Sequence, residues 1–199
     1  MRIIFMGTPE FAVASLDILV QNNYDIAAVV TVPDKPAGRG QQLQQSAVKK
    51  YALEKGLKVL QPEKLKSEDF ISELSSFKAH IQVVVAFRML PEVVWRMPQY
   101  GSINLHASLL PDYRGAAPIH WAVINGESIT GVTTFFLQHE IDTGNIIEQR
   151  SIDILPEDNT GILYDKLKEL GATLMVDTLN NVINNTYKEI PQTMLSSYH

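Results

Sequence analysis

Residues 2–32 read RIIFMGTPEFAVASLDILVQNNYDIAAVVTV, and the order strand, turn, helix, strand within them sets the fold class. Arg2 to Met6 is a short run of large apolar residues. Gly7-Thr8-Pro9 breaks it, which places Thr8 as a helix N-cap and Pro9 at the first helical position. Phe11, Leu16, Leu19 and Val20 then recur at helical spacing. Asp25 to Val32 is nearly continuous and β-branched, as a strand buried on both faces requires.

The same alternation continues outward. Helices are expected from Ser46 to Lys55, from Ser67, from Pro118 to Asn125 and from Asn159 to Asn184. Strands are expected at Leu57 to Leu60, Ile81 to Ala86, Ser102 to Leu105, Gly131 to Leu137 and Asn145 to Ile152. Strands alternating with helices specify an α/β fold of Rossmann-like kind, with a mostly parallel central sheet and helices on both faces. Pro33 to Gln45 has two prolines, two glycines and no apolar period, so it reads as a surface loop. From Ile190 the periodicity stops, and IPQTMLSSYH reads as a linker or frayed tail. The expected organisation is one catalytic domain over 1–189, with 190–199 as the start of a linker.

Composition excludes several classes. The 199 residues are 45% hydrophobic and 20% charged, which fits a globular domain and not a disordered chain. There is no cysteine, so disulfides and thiolate metal sites are ruled out and a reducing cytoplasm is the expected location. No apolar run approaches the roughly 20 residues of a membrane span. The formal charge of −5 argues against a broad nucleic-acid surface but leaves room for a local basic patch. No HExxH motif or close histidine pair is present, so no metal is expected. The single glycine of MGTPEF does not meet the three-glycine dinucleotide fingerprint.

The chemistry concentrates at Ser102-Ile103-Asn104-Leu105-His106. Residues two apart on a strand face the same side, so Asn104 and His106 project together. They lie where the strand gives way to a loop, and sites in open α/β sheets form beyond the carboxyl ends of strands. An amide beside an imidazole suits acyl transfer to an amine. The amide can hold a developing oxyanion, and the imidazole can take the amine proton. Asp142, in EIDTGN between two strands, is the candidate carboxylate to fix the imidazole. Such residues also serve as loop anchors and turn formers, and spacing alone leaves both readings open. Among the other polar residues, His80 is expected to be exposed, His120 packed on a helix and His139 structural. Lys49 and Lys50 read as a solvated helix face.

A resemblance adds to this reading. NLHASLLPDYRG at 104–115, followed by EIDTG at 140–144, resembles the signature of the 10-formyltetrahydrofolate-dependent formyltransferases. IIFMGTPEFA at 3–12 and VPDKPAGRGQ at 32–41 are similar to the branch that formylates the amino group of initiator methionyl-tRNA. The resemblance implies 10-formyltetrahydrofolate as co-substrate, no metal, initiator methionyl-tRNA as partner and a monomer without membrane contact. It assigns catalysis to Asn104, His106 and Asp142. It assigns folate binding to Phe87, Arg88, Met89 and Leu90, and to the turn of Ser108, Leu109, Leu110 and Pro111, with Pro111 a candidate to follow a cis bond. Arg88 is left between reaching the folate carboxylates and facing solvent. The loop from Asp34 to Lys49 resembles a tRNA-contacting insertion, with Arg39 and Lys35 as its cations. The resemblance also implies a second domain, C-terminal to residue 199. A small amine acceptor, or water in place of the amine, would leave the same three catalytic residues, and the glycine-flanked arginine loop argues against both. The non-enzyme alternative is a folate- or nucleotide-binding module.

Overall fold

The structure is a computed structural model, and it describes residues 1–37 and 42–195. The chain divides into two compact units, Met1–Ser102 and Ile103–His199.

In the first unit, β1 (Arg2–Gly7) pairs in parallel with β2 (Asp25–Val30), and β2 pairs in parallel with β5 (Val59–Leu60). On its other side β1 pairs in parallel with β6 (Ile81–Val85), so the order is β5-β2-β1-β6. Ile3, Phe5 and Met6 are fully buried, as strands covered on both faces must be. Helix α1 (Glu10–Gln21) turns Phe11, Ala12, Leu16 and Leu19 inward at the expected spacing. Gly7 allows the tight passage from β1 to α1, since a Cβ there would stand 2.7 Å from the Cβ of Ala12 and 2.9 Å from the carbonyl of Val85. The helix start differs by one residue from expectation. Pro9 is the N-cap residue, with no side-chain cap, and the buried Thr8 hydroxyl has no hydrogen-bond partner among the described residues.

The expected surface loop at 33–45 contains a short antiparallel hairpin, β3 (Lys35–Ala37) with β4 (Gln42–Gln44). Lys35 is exposed on β3, and Arg39 lies outside the described residues. The hairpin base is anchored by side chains. Lys49, on α2 (Ala47–Glu54), donates to Asp34 at 2.6 Å, and Gln61 donates to Asp34 at 2.8 Å and to the carbonyl of Val32 at 2.9 Å. Lys49 is therefore half-buried in an ion pair and not part of a solvated face, whereas Lys50 is exposed.

The Lys49 hydrogen bond, followed by that of Gln61, holds the Asp34 carboxyl below its ordinary range. A carboxylate with a lowered folded-state pKa stabilises the fold above its unfolded value of about 3.9, and that contribution vanishes as pH falls through the folded value. Lys49→Met should thus melt at a lower temperature than the parent chain near neutral pH. The gap should narrow as pH falls below about 4 and close once pH passes the lowered folded value, beneath which Asp34 is protonated in both. Melting curves across that range check this, and a gap that persists in acid would assign it to lost packing.

Two short helices complete the first unit. α3 (Glu68–Ser76) is capped by Ser67, and α4 (Glu92–Trp95) was not anticipated from the pattern. A four-residue helix is too short to show a period.

The second unit begins as β7 (Ser102–His106) runs into it. β7 pairs antiparallel with β8 (Ile129–Phe136), which pairs antiparallel with β9 (Ile146–Asp153). The expectation of a mostly parallel sheet is met strand by strand in the first unit, and the second supplies the antiparallel strands. For β8 and β9 the reason is local, because the connection between them is too short for the crossover that parallel neighbours need. Helix α5 (Pro118–Ile124) leaves His120 exposed and Trp121 half exposed, so His120 is not packed as expected. Helix α6 (Thr160–Ile183) is capped by Asn159, whose side chain accepts from the N–H of Ile162. α6 packs against β8 and β9, and Leu163, Leu167, Gly171, Leu174 and Thr178 are buried along it. Gly171 lets the helix close on β7, where a Cβ would come within 2.7 Å of Leu105.

The expected tail is in part ordered structure. Ile190 and Ile146 exchange both backbone hydrogen bonds at 2.9 Å, a single 3-10 turn follows at Gln192–Met194, and Gln192 is buried. Leu195 packs against the buried cluster of Leu110, Phe135 and Ile146. The loss of periodicity at 190 marks a change from helix to an extended docking segment.

No helix among the described residues is long and apolar enough to cross a membrane.

Candidate active site

The pleat of β7 separates two sets of side chains. Ile103 and Leu105 are buried, and Leu105 lies against α6. Asn104 and His106 take the other face, opposite Phe135 and Thr133 of β8. Asn104 is half-buried, and among the described residues no hydrogen bond engages its side-chain amide. Its donors are free for a ligand.

His106 is 8% exposed, and both its ring nitrogens face acceptors. Nε2 lies 2.7 Å from the carbonyl oxygen of Tyr113, and Nδ1 lies 3.6 Å from Oδ2 of Asp142. A carbonyl can only accept, so Nε2 carries a proton, and in the neutral ring Nδ1 presents its lone pair. The sequence pattern assigns the orienting task to Asp142. In the structure the Tyr113 carbonyl holds the ring at Nε2, and Asp142 stands beside Nδ1.

Asp142 is held in turn. Its Oδ2 accepts the N–H of Gly115 at 2.8 Å, and its backbone adopts φ +53°. Tyr113 (φ +54°) and Ala117 (φ +56°) share that left-handed conformation, which costs an L-residue roughly 1–2 kcal/mol each. Three such residues in the two loops that meet at His106 mark a backbone fixed by its surroundings. Tyr113 is anchored by its phenol, which donates to Glu127 and accepts from Asn125.

The loop after β7 is braced by Thr133. Its hydroxyl donates to the carbonyl of Ser108 at 2.7 Å and accepts from the N–H of Leu110 and from Gln149. Gln149 also donates to the carbonyl of Leu110, and the Leu110–Pro111 bond is cis. Ser108, Leu109 and Leu110 are buried. These three side chains shape the turn, and several of its backbone groups are already paired.

The other segment assigned to folate lies in the first unit. Leu90 is buried and Met89 is 70% exposed. Arg88 is half-buried, and its Nε is buried without a hydrogen-bond partner among the described residues. Its guanidinium donates to the carbonyls of Pro62 and Glu63 and stacks 5.2 Å from the Phe87 ring centroid. Burial lowers its pKa from the ordinary value.

Two site residues carried no sequence signal. Tyr113 acts through a carbonyl that any residue would supply. Gln192 sits in the segment read as tail, and it donates to the carbonyls of Asp142 and Gly144 at 2.8 and 2.9 Å. Among the described residues, no group of three or more histidine, aspartate or glutamate side chains could hold a metal ion.

Gly144 closes the Asp142 turn. A Cβ there would fall 1.7 Å from the carbonyl oxygen of Phe136 and 3.1 Å from the Phe135 ring. Gly144→Ala must move backbone, and is expected to cost about 1–3 kcal/mol and to shift Asp142. Urea unfolding checks the first effect. An unchanged midpoint would mean that the turn yields more easily than its packing suggests.

The family described as "Formyl transferase" matches residues 1–179. The chain belongs to the formyl transferase family. Methionyl-tRNA formyltransferase of Bacteroides fragilis is 58% identical over 192 residues, which is 96% of this chain and 59% of that protein. The chain thus spans about three fifths of the length of the curated formyl transferases that it matches. Among solved formyl transferases, glycinamide ribonucleotide transformylase 1 from Symbiobacterium toebii superposes with a TM-score of 0.79 at 16% identity, covering 93% of this chain and 88% of that one. WlaRD, a sugar 3N-formyl transferase solved with dTDP and 5-N-formyl-THF, gives 0.72 at 26% identity, covering 100% and 69%. Together they fix the Rossmann-like formyl transferase fold.

Proposed function

We propose that the chain transfers the formyl group of 10-formyltetrahydrofolate to the amino group of initiator methionyl-tRNA, in the cytoplasm. The observation that carries the chemistry is the placing of His106, with Nε2 fixed by the Tyr113 carbonyl and Nδ1 beside Asp142, on the same face as the free amide of Asn104. The choice of acceptor is supported by the 58% identity to a methionyl-tRNA formyltransferase.

The donor supplies a carbonyl carbon bonded to nitrogen. As the acceptor amine attacks that carbon, the carbonyl oxygen gains negative charge, and the Asn104 amide can donate to it. The amine must lose a proton, and Nδ1 of His106 has the lone pair to take it. The imidazolium so formed has the Asp142 carboxylate beside it and the Tyr113 carbonyl behind it. Collapse restores the carbonyl, breaks the bond to the donor nitrogen and returns the proton to that nitrogen. The products are the formylated amine and tetrahydrofolate.

Folate contact by Ser108, Leu109, Leu110 and Pro111 is proposed through the shape of their braced turn. The assignment of Phe87, Met89 and Leu90 rests on the resemblance, as does contact of Lys35 and Arg39 with tRNA. Arg88 is given a supporting part, since two of its guanidinium nitrogens are held by the carbonyls of Pro62 and Glu63.

The test is transfer of a labelled formyl group from 10-formyltetrahydrofolate to methionyl-tRNA, with uncharged tRNA as control. Label on the methionine amino group supports the proposal. Label transferred only to a small amine such as an amino sugar would overturn the choice of acceptor, and donor breakdown in the absence of any amine would make the reaction a hydrolysis.

A further inference from the structure

Gln192 is 4% exposed, and its amide is fully used. Nε2 donates one proton to the carbonyl of Asp142 at 2.8 Å and the other to that of Gly144 at 2.9 Å. Oε1 accepts from Nε and Nη2 of Arg114 at 2.9 and 2.6 Å. A primary amide has two protons and two lone pairs, so nothing is left over. The two carbonyls flank Thr143 and therefore span the turn that carries Asp142. Arg114 lies between Tyr113, whose carbonyl holds Nε2 of His106, and Gly115, whose N–H holds Oδ2 of Asp142. One side chain thus ties together the two loops that set both nitrogens of the catalytic imidazole. The segment that delivers it is itself fastened at Ile190 to Ile146 and at Leu195 to the Leu110 cluster.

We propose that Gln192 is a positioning residue for the His106–Asp142 pair. It touches neither imidazole nor carboxylate, and acts by fixing the backbone from which both are held. A residue that only stapled the fold would change stability and leave the chemistry alone. A positioning residue changes the turnover step, because a misplacement of about 1 Å can cost on the order of 100-fold. The kinetic part of this inference rests on the formyl-transfer reading, and the spectroscopic part does not.

The experiment compares Gln192→Leu, Asp142→Asn and the double variant. Gln192→Leu is expected to lower kcat by roughly 10- to 100-fold with KM for the donor nearly unchanged. In the Asp142→Asn background it should cost little more, because the two changes remove the same interaction. In parallel, the imidazole 15N resonances of His106, identified by their loss in His106→Gln, should move in Gln192→Leu in the direction that they move in Asp142→Asn. Gln192→Glu keeps the size and the Arg114 contact but offers the carbonyls no donor. It should reproduce both effects and serves if the leucine variant does not fold. Unchanged 15N resonances with unchanged kcat would overturn the proposal, as would losses that multiply independently in the double variant. Absence of formyl transfer by the parent chain would remove the function proposed above, and the His106 resonances would then decide the role of Gln192 alone.

Discussion

His106→Ala should lower kcat/KM for formyl transfer by roughly 10²–10⁴-fold, the range usual for a general base. The geometry puts the effect in the chemical step. His106 is 8% exposed, its Nε2 is committed to the Tyr113 carbonyl, and only Nδ1 is open to a proton from the acceptor. Alanine leaves Asp142 without the imidazolium that it would stabilise, so carboxylate and base are lost together. His106→Gln separates shape from basicity, since glutamine can still donate to the Tyr113 carbonyl yet cannot take up a proton at neutral pH. Single-turnover rates with donor and acceptor both saturating are the measurement. If the glutamine variant kept most of the rate, His106 would be a structural contact and the proton would leave by another route.

The second large effect belongs to Asn104. Its amide has no internal partner among the described residues, so removing it leaves no protein group stranded, and the loss should appear almost wholly in the transition state. Asn104→Ala is expected to lower kcat by roughly 10²–10³-fold, about 3–4 kcal/mol, with little change in KM. Asn104→Asp should be worse than alanine above the carboxylate range, because an acceptor then faces a developing negative charge. Steady-state kinetics on both variants check this order. Equal rates for alanine and aspartate would mean that the oxyanion forms out of reach of residue 104.

How legible these features were in the sequence follows from what each is made of. Asn104 and His106 could be found because a strand has period two, and that period survives any tertiary context. Strands β1, β2 and β6 were legible for a related reason, as unbroken apolar runs leave few alternatives. Asp142 could be named as a candidate carboxylate from its place between two strands, but an aspartate in a Thr-Gly turn is ordinary by composition, and the resemblance gave it its weight. The Tyr113 carbonyl was out of reach because backbone acceptors are common to every residue. The hairpin of Lys35–Ala37 with Gln42–Gln44 was hidden by its length, since three-residue strands show no period among prolines and glycines. Arg88 was ambiguous because a long cation can serve a ligand or a carbonyl, and only the position of the chain at 62–63 decides. Gln192 was missed for want of any pattern in IPQTMLSSYH, and its use of all four hydrogen-bonding positions is a property of folded space.

The distance in sequence between Gln192 and the turn that it holds also bears on how the molecule is made. A polypeptide emerges from the ribosome amino-terminus first. Asn104, His106 and Asp142 all leave the exit tunnel well before residue 192. A nascent chain can therefore hold β7, β8 and β9 with all three side chains while the Asp142 turn still lacks its clamp. On the positioning role proposed for Gln192, chains too short to include it would carry Asn104, His106 and Asp142 with the Asp142 turn unclamped.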